Sequence, residues 1–379
     1  MTLAEPQSAL PKPLASHAPT LAKPIGMMSP AGHPDAWHQV TAPGGYEWWY
    51  FDAEDPETDT HLVAILLEGF IWHPGYLRQF GRFAKRPHKH VPPVAGDFPC
   101  SYLVVYQGGK IRKQFMVQHR PEQFSASPDT PDVRLGPCTM RQTDDGVYRL
   151  HLEGTPWHLT GRGPQFLNDQ TLTAKLSFTP TSPGLAERAF FSRAMTKADH
   201  RWVLAAPRCD VVGTLDLGDG EEIVFGGRGY HDHNFGTAPI GPGLERWLWG
   251  RVMVGADVTA FHYAKPRDAS LPEEVHLLRA GADGLHESSP AVTCDWSRKS
   301  NWRLSYPQSA DFGEGLRLSD PKIVDSAPFY MRLTYHAQTP AGQGRAFCEI
   351  AYPHRLRWPV LGRMVEMSIE KSALKQKQT

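Results

Sequence analysis

The chain has 379 residues, and its 40 Lys and Arg side chains are balanced by 40 Asp and Glu. This length favours two domains, because a single hydrophobic core rarely grows beyond about 250–300 residues. The balanced charge and the lack of a long Lys/Arg block exclude the electrostatic surface of a nucleic-acid-binding protein. We therefore expect no nucleic-acid partner.

The composition indicates a mostly β protein. The sequence contains 34 Gly, 34 Pro, 11 Trp and 12 Tyr. Gly and Pro interrupt regular elements, whereas aromatic side chains favour the pleated surface of a sheet. Many short strands joined by frequent turns fit this composition better than long helices do.

Residues 1–43 are rich in Pro and Ala and are predicted to form a tail or arm. Prolines every few residues prevent both helix continuation and strand pairing. After this tail, residues 101–118 place Gly108 and Gly109 between two strand-like segments, the pattern of a hairpin. Similar pairs continue to about residue 180, and we predict an antiparallel barrel over residues 44–195.

The second half of the chain repeats the same pattern. Turns are predicted at Gly218–Gly220 and at Gly255–Asp257, each between two strand-like segments. Only residues 361–378 are predicted to form a helix, with Lys residues near its end. We predict a second barrel over residues 196–379, with the boundary inside residues 181–202, where the strand pattern lapses.

The five cysteines are widely spaced and odd in number, so they predict buried free thiols rather than a disulfide framework or a zinc site. No apolar run is long enough to span a bilayer, and the N-terminus lacks the pattern of a signal peptide. The sequence therefore predicts a cytoplasmic protein, with peripheral membrane contact left open. It gives no indication of the oligomeric state.

Three segments resemble the carotenoid 1,2-hydratases, also called hydroxyneurosporene synthases. They are YEWWYFD at 46–52, GYHDHNFG at 229–236 and RWLWGRV at 246–252. The resemblance covers about residues 41–370 in motif order and spacing. That family is similar to lipocalins, and it includes bacterial attachment-protein homologues and fungal Diels–Alder cyclases. The resemblance implies an all-β fold of two tandem lipocalin-like antiparallel β-barrels with a lipophilic ligand between them.

The first segment contains consecutive aromatic residues, which divide between the two faces of a strand. One face carries Glu47, Trp49 and Phe51, and the other carries Trp48, Tyr50 and Asp52. Trp48, Trp49 and Tyr50 are candidate substrate contacts, although aromatic residues in β proteins more often belong to the core. Glu47 is a candidate catalytic acid, because burial beside tryptophans would raise its pKa.

The second segment concentrates polar side chains that are costly to bury without partners. Asp232 and His231 are candidate catalytic acids, and the remaining candidate substrate contacts here are Tyr230, His233 and Asn234. In an extended strand the two histidines share one face, opposite Asp232 and Asn234. The alternative is that these residues only hydrogen-bond the connection between the domains. The His-x-His spacing offers two metal ligands, but no third ligand is evident, so we predict no metal.

The third segment and the strand after it add four candidate substrate contacts, Trp247, Trp249, Arg251 and Tyr263. Arg251 would stack on an aromatic ring or bind a polar end group; the alternative is an ion pair with Glu245 or Asp257. The resemblance implies an aspartate proton donor on the strand at 261–265, but this sequence reads FHYAK there. That departure counts against hydration.

The leading hypothesis is an enzyme, a lyase or an isomerase, that acts on a hydrophobic isoprenoid or polyene without a cofactor. It would protonate a carbon–carbon double bond and then add water, cyclise or isomerise the product. The first alternative is a pericyclic cyclase, which needs a folded polyene but no acid. The second is a lipocalin-type carrier without catalysis. The three differ in whether His231, Asp232 and Glu47 converge inside a closed pocket.

Overall fold

The computed structural model describes residues 33–184, the backbone of 186–190, and residues 200–241 and 243–372. Within these ranges the chain forms two large sheets, each curled as a half-barrel, and two small two-stranded sheets. Pairing is antiparallel throughout except between the last strand and the fourth. The predicted all-β, lipocalin-like fold class is confirmed.

The strands of the described chain are short to medium in length. In chain order they are β1 Tyr46–Asp55, β2 Thr60–Glu68, β3 Cys100–Gln107, β4 Lys110–Gln118, β5 Phe124–Ala126, β6 Asp132–Leu135, β7 Cys138–Gln142, β8 Tyr148–Gly154, β9 Trp157–Thr160, β10 Gly163–Phe166, β11 Leu172–Pro180, β12 Ala186–Phe190, β13 His200–Asp216, β14 Glu222–Gly236, β15 Leu244–Val254, β16 Asp257–Pro266, β17 Glu274–Gly281, β18 Gly284–Ser288, β19 Thr293–Asp295, β20 Arg298–Lys299, β21 Ser305–Tyr306, β22 Ser309–Asp311, β23 Arg317–Ala327, β24 Tyr330–Thr339, β25 Gly342–Ala351 and β26 Glu370–Lys371.

The first sheet has the order β26-β4-β3-β2-β1-β14-β13-β11-β8-β7-β6-β5, with β12 paired to β13. The second sheet has the order β18-β17-β16-β15-β25-β24-β23-β22-β19. The small sheets are β9 with β10 and β20 with β21. Both large sheets are built mostly from neighbouring hairpins, which explains why the turn pattern of the sequence was informative.

The predicted hairpin turns are confirmed at Gly108–Gly109, at Gly218–Gly220 and at Gly255. The first joins β3 to β4, the second joins β13 to β14, and the third joins β15 to β16. Gly108 and Gly109 have φ of 60° and 71°. A two-residue turn with positive φ at both positions suits glycine, because other residues pay a steric cost there.

The change from the first sheet to the second lies between Gly236 and Leu244, whereas the sequence predicts a domain boundary at residues 195 and 196. The long strands β13 and β14 belong to the first sheet because β14 pairs with β1 from Tyr46↔Gly236 onward. Local hairpin patterns do not show which sheet a hairpin joins. The domain limits themselves stay predictions.

Two α-helices occur in the described residues, α1 at Pro74–Lys85 and α2 at Pro359–Met367. Short 3-10 turns occur at Ala95–Asp97, Pro121–Gln123 and Pro353–Arg357. The predicted C-terminal helix is confirmed in position, but it begins two residues earlier than residue 361 and ends at Met367. Residues 373–379 lie outside the described chain.

Helix α1 is absent from the sequence-based prediction. It begins at Pro74, whose fixed φ suits the first helical position. The ring of His73 caps the helix by accepting hydrogen bonds from the backbone N–H groups of Gly75 and Tyr76. Tyr76 is buried, and its hydroxyl donates a hydrogen bond to the carbonyl oxygen of Gly45, just before β1. A histidine cap is an unusual start signal, and the Pro-Gly pair at its start is more typical of a turn.

Each half-barrel has its own apolar interior, and a third apolar layer lies between the two sheets. The first interior is filled by large side chains such as Trp49, Phe51, Phe115 and Phe178. A filled interior leaves no room there for a ligand of substantial size. The layer between the sheets is rich in aromatic residues and contains the pocket at the candidate active site.

Part of the predicted tail is ordered against the first sheet. Within the described residues 33–43, Asp35, Ala36 and Val40 are buried. Residues 1–32 lie outside the described chain. The prolines prevent regular pairing, as expected, but they do not prevent this segment from packing.

Cys100, Cys138, Cys209 and Cys348 are buried, Cys294 is half-buried, and all five are free. The prediction of free thiols is therefore confirmed. No helix in the described part of the chain has both the length and the apolar character needed to cross a bilayer.

Candidate active site

A pocket lies between the two sheets, open on one side, with a cavity volume of about 60 Å³. This volume is below the roughly 300–1,000 Å³ typical of small-molecule sites. Most of its lining is aromatic, with a few polar groups. The lining residues are Trp48, Tyr50, His200, Trp202, Asp232, Asn234, Ile240, Trp247, Trp249, His262 and Glu349.

Strand alternation decides which candidate residues reach this pocket. Strands β1 and β14 pair side by side, with Tyr50 opposite Asp232 and Trp48 opposite Asn234. Directly paired residues point to the same face of a sheet, so these four side chains face the second sheet together. The predicted face division of both segments is confirmed.

Asp232 is the central polar group of the pocket and is only 4% exposed. Its Oδ2 accepts hydrogen bonds from the hydroxyl of Tyr230 at 2.7 Å and from the indole N–H of Trp202 at 2.8 Å. Its Oδ1 accepts a hydrogen bond from the side-chain amide of Asn234 at 2.8 Å. Tyr230 therefore holds Asp232 by a hydrogen bond and is not a lining residue of the pocket. The sequence predicted it as a substrate contact.

Burial raises the pKa of Asp232 to about 7, despite the opposing hydrogen bonds from Tyr230 and Trp202; the charge of Glu349 adds to the increase. A carboxyl group with this pKa is substantially protonated at neutral pH and can act as a general acid. Because Oδ2 already accepts two hydrogen bonds, we place the acidic proton on Oδ1. Asn234 can turn its amide oxygen toward that proton.

Glu349 is the second acidic residue of the pocket, and it was not predicted from the sequence. It accepts a hydrogen bond from Arg332 Nε at 2.8 Å, and the hydroxyl of Tyr50 donates to it at 3.3 Å. Arg332 also donates to the hydroxyls of Tyr102 and Tyr106, at 2.8 and 2.9 Å. The guanidinium supplies a counter-charge, so a carboxylate at Glu349 is tolerated in this aromatic layer.

The pocket aromatics contact one another across the interface between the sheets. The ring of Trp249 lies 5.1 Å from that of Tyr50 and 5.3 Å from that of Tyr230. The ring of Trp247 lies 5.3 Å from that of Trp72, just before α1. Aromatic ring faces carry partial negative charge and attract a neighbouring cation. The pocket lining can therefore contact an apolar molecule and stabilise positive charge that forms on it.

Two histidines line the pocket, His200 and His262. Burial lowers the pKa of His200 to about 3 and lowers that of His262 well below its ordinary value. The ring of His200 shares a hydrogen bond of 2.7 Å with the hydroxyl of Tyr46. Both rings are therefore neutral near pH 7, which makes them poor proton donors compared with Asp232.

The remaining candidates of the two motifs, His231, His233, Glu47 and Trp49, lie on the opposite face, inside the first half-barrel. His231 Nε2 lies 2.9 Å from Asp35 Oδ2, and His233 Nε2 lies 2.8 Å from Glu47 Oε1. Of the three candidate acids only Asp232 enters the pocket. His231 and Glu47 do not converge with it, because neighbouring residues on a strand point in opposite directions.

These inward groups form a buried charge network. His233 Nδ1 also lies 3.2 Å from Asp35 Oδ1. Although burial opposes its charge, the neighbouring carboxylates of Asp35 and Glu47 raise the pKa of His233 to about 9. Burial would raise the pKa of Asp35, but His231 and His233 hold it below the ordinary value. The network fastens residues 33–38 to the first sheet and takes no part in the pocket.

One place in the described chain could hold a metal ion. His38, Glu47 and His233 bring three ligand atoms within 4.8 Å of one another. Sequence spacing gave no third ligand for the His-x-His pair, because Glu47 and His38 approach only through strand pairing and through packing of the N-terminal segment. A proton on His233 already balances the nearby carboxylates, and the absence of a metal stays a prediction.

Arg251 and Tyr263 also lie outside the pocket. Arg251 forms a fully buried ion pair with Asp52, with Nε at 2.9 Å from Oδ1, and approaches Glu54 at 3.6 Å. The predicted ion-pair alternative for Arg251 was therefore correct in kind, but its partners are on β1. Tyr263 faces the interior of the second half-barrel, because its neighbour His262 faces the pocket.

Signals for the missed residues were present but weak. Glu349 is a single carboxylate inside the apolar strand segment AFCEIAY, and one acidic residue in such a run points to a site. Trp202 lies near the start of β13, about 30 residues before Asp232 in the chain. It reaches Asp232 because it pairs with Asn234 of β14. That register could not be read from local sequence, because two irregularities interrupt the pairing of β13 and β14.

The chain is a lipocalin-like β protein with an aromatic pocket between two half-barrels and a protonatable aspartate in that pocket. The family model of carotenoid hydratase CrtC matches residues 98–378. The chain therefore belongs to the CrtC family of carotenoid hydratases, as the resemblance of its motifs implied.

Two relatives and one solved structure illustrate this similarity. The chain is 29% identical over 311 residues to a hydroxyneurosporene dehydrogenase of Chlorobaculum tepidum, covering 79% of each chain. It is 24% identical over 302 residues to an acyclic carotenoid 1,2-hydratase of Rubrivivax gelatinosus, covering 78% of this chain and 65% of that protein. A crystal structure of an AttH protein from Nitrosomonas europaea matches with a TM-score of 0.59 at 15% identity. That match covers 88% of this chain and 98% of the other, and it supports the fold alone.

Proposed function

We propose that this protein is a lyase that adds water to a carbon–carbon double bond of an acyclic isoprenoid polyene. The observation that carries this proposal is the protonatable carboxyl group of Asp232 inside an aromatic pocket. Membership of the carotenoid hydratase family and the names of the relatives support a carotenoid-like substrate. A pericyclic cyclase or a carrier would not need such an acid.

The reaction proceeds by proton transfer. The proton on Asp232 Oδ1 moves to the less substituted carbon of the double bond, so that a C–H bond forms and the π bond breaks. The other carbon becomes a tertiary cation. A water oxygen then bonds to that cation, and the water releases a proton to the carboxylate of Asp232. The acid is regenerated, and neither a redox step nor a cofactor is needed.

The pocket provides the electrostatic stabilisation that the cation requires. The ring faces of Trp48, Trp249 and Tyr50 offer negative potential. Glu349, held by Arg332, places a fixed negative charge at the same pocket. A preorganised charge of this kind favours the transition state because it needs no reorganisation during the reaction.

The lack of an aspartate at residues 261–265, where the resemblance implies one, is compatible with this mechanism. The resemblance implied an aspartate proton donor on that strand, but this chain places neutral His262 in the pocket instead. Asp232 on β14 then takes the role of the acid. The sequence-based argument against hydration loses its force, because the pocket has an acid from a different strand.

The direct test is incubation of the purified protein with lycopene, an acyclic carotenoid, in detergent and ¹⁸O-labelled water. We expect a product heavier than lycopene by one labelled water, identified by mass spectrometry. An isomer of unchanged mass would instead indicate cyclisation. Unchanged lycopene that copurifies with the protein would favour the carrier and contradict the proposal.

The pH dependence of turnover follows from the raised pKa of Asp232. The protonated form is present below about pH 7, so turnover should fall as pH rises above that value, by roughly tenfold per unit. Glu68→Gln is a matched control, because burial also raises the pKa of Glu68, to about 8, but Glu68 is not a lining residue. We expect this variant to keep the same decline, measured as kcat between pH 5 and about 9. If the decline moves to a different pH in Glu68→Gln, it reports the titration of Glu68, and the assignment to Asp232 is wrong.

Replacing Glu349 should move the same decline to lower pH. In Glu349→Gln the negative charge that helps to raise the pKa of Asp232 is gone, so Asp232 ionises more easily. Turnover should also decrease, since the cation loses a counter-charge. A pH-rate profile combined with urea unfolding separates this effect from destabilisation caused by the unpaired Arg332. An unchanged profile in a folded variant would remove Glu349 from the site.

A further inference from the structure

A strongly basic surface covers two neighbouring helices. Between Glu68 and Asp97 the sequence has no acidic residue, although the chain as a whole has equal numbers of acidic and basic residues. This stretch contains α1 and the loop after it. Its five cations are all exposed: Arg78, Arg82, Lys85, Arg86 and Lys89.

The second helix adds cations and apolar side chains that face solvent. Arg357 precedes α2 and Arg363 lies within it, and both are exposed. Trp358, Val360 and Met367 are 57%, 69% and 53% exposed. Large apolar side chains rarely gather on the surface of a soluble protein without a partner. An exposed tryptophan among arginines is typical of the interface between a membrane and water.

The two helices form one continuous surface. Arg78 of α1 lies 3.3 Å from Glu366 of α2, and Gly362 of α2 packs against Pro74 at the start of α1. We name the cations and the three apolar side chains of both helices the basic helical surface. Its residues are Arg78, Arg82, Lys85, Arg86, Lys89, Arg357, Arg363, Trp358, Val360 and Met367.

The basic helical surface adjoins the pocket. Trp72, two residues before α1, packs its ring at 5.3 Å from that of Trp247, which lines the pocket. Pro353, at the start of the turn that leads into α2, packs against Gly241, the neighbour of the lining residue Ile240. Both helices therefore start beside the pocket wall.

We propose that the basic helical surface docks on an anionic lipid bilayer and places the pocket beside the membrane. Cations near an anionic leaflet are attracted to its headgroups, and neighbouring tryptophan and aliphatic side chains enter the interfacial region. A nucleic acid or an acidic protein would satisfy the cations but would leave Trp358 and Val360 in water. The proposal extends the proposed function, because a carotenoid-like substrate resides in bilayers.

The test uses the full-length protein and sedimentation with vesicles of phosphatidylcholine, with or without phosphatidylglycerol. We expect binding to the vesicles that contain phosphatidylglycerol and little binding to phosphatidylcholine alone. The double variant Arg82→Glu/Lys85→Glu should lose at least about tenfold in partition coefficient. Trp358→Ala should weaken binding while retaining its dependence on anionic lipid.

The matched control is Arg149→Glu/Lys175→Glu, which makes the same change of charge at two exposed cations on β8 and β11. Its vesicle binding should resemble that of the wild type. Equal losses in both double variants would show only an effect of net charge and would overturn the proposal. Absence of wild-type binding to anionic vesicles, or binding to an oligonucleotide instead, would also overturn it.

Turnover measurements separate this proposal from the proposed function. Arg82→Glu/Lys85→Glu should retain wild-type turnover of lycopene in detergent and lose it with lycopene in anionic vesicles. Vesicle binding without any turnover in detergent would leave the docking surface intact and contradict the hydratase. Equal turnover by wild type and variant in both media would overturn the role of the surface in substrate delivery.

Discussion

Asp232→Asn is expected to abolish hydration, with a loss of kcat of roughly 10²–10⁴-fold, in a protein that still folds and binds its ligand. The amide oxygen can replace Oδ2 and accept the hydrogen bonds from Tyr230 and Trp202. The amide N–H₂ then occupies the position of Oδ1, where Asn234 can turn its own oxygen to accept. Shape is preserved, but no acidic proton is available.

The measurement is single-turnover kinetics with lycopene, together with a ligand-binding titration and an unfolding curve. Tyr230→Phe serves as the companion variant, because it removes one hydrogen bond to Asp232 without removing the carboxyl group. It should retain measurable turnover with an altered pH dependence. Wild-type turnover in folded Asp232→Asn would reject the acid role and favour a pericyclic reaction, which needs no proton at this position.

Arg251→Met is expected to destabilise the protein by about 3–5 kcal/mol, since it leaves the carboxylate of Asp52 buried without its main partner. Asp52 and Arg251 are both fully buried, and the pair joins β1 of the first sheet to β15 of the second. His61 remains 3.6 Å from Asp52, but burial lowers the pKa of His61, so it is a weak substitute for the guanidinium. The free energy of unfolding in urea measures the effect.

Two controls define this effect. Arg228→Met removes an arginine that pairs with Glu54 at 2.7 Å, but its side chain is 34% exposed, so the cost should not exceed about 1 kcal/mol. The double variant Asp52→Asn/Arg251→Met removes both charges and should recover much of the lost stability. Equal costs for Arg251→Met and Arg228→Met would mean that the buried pair is not important for stability.

Much of the fold could be predicted because the sequence patterns that specify its strands and turns are local. The alternation of YEWWYFD and GYHDHNFG divides each strand into two faces, and the paired glycines define hairpin turns. The all-β class and the faces of these strands depend only on that periodicity. Helix α1 was missed because its start signal, a histidine cap before a Pro-Gly pair, resembles a turn.

Strand alternation in the sequence is sufficient to place Asp232 and Asn234 on one face and His231 and His233 on the other. It could not determine which face meets the second sheet, because that depends on how the half-barrels pack. Tertiary structure alone raised the pKa of Asp232, by burying it beside Trp202 and Glu349. It also placed Glu47 and His231 in a charge network inside the first half-barrel. Burial and long-range pairing set the pKa values of Asp232 and Glu47, and neither is encoded in the spacing of neighbouring residues.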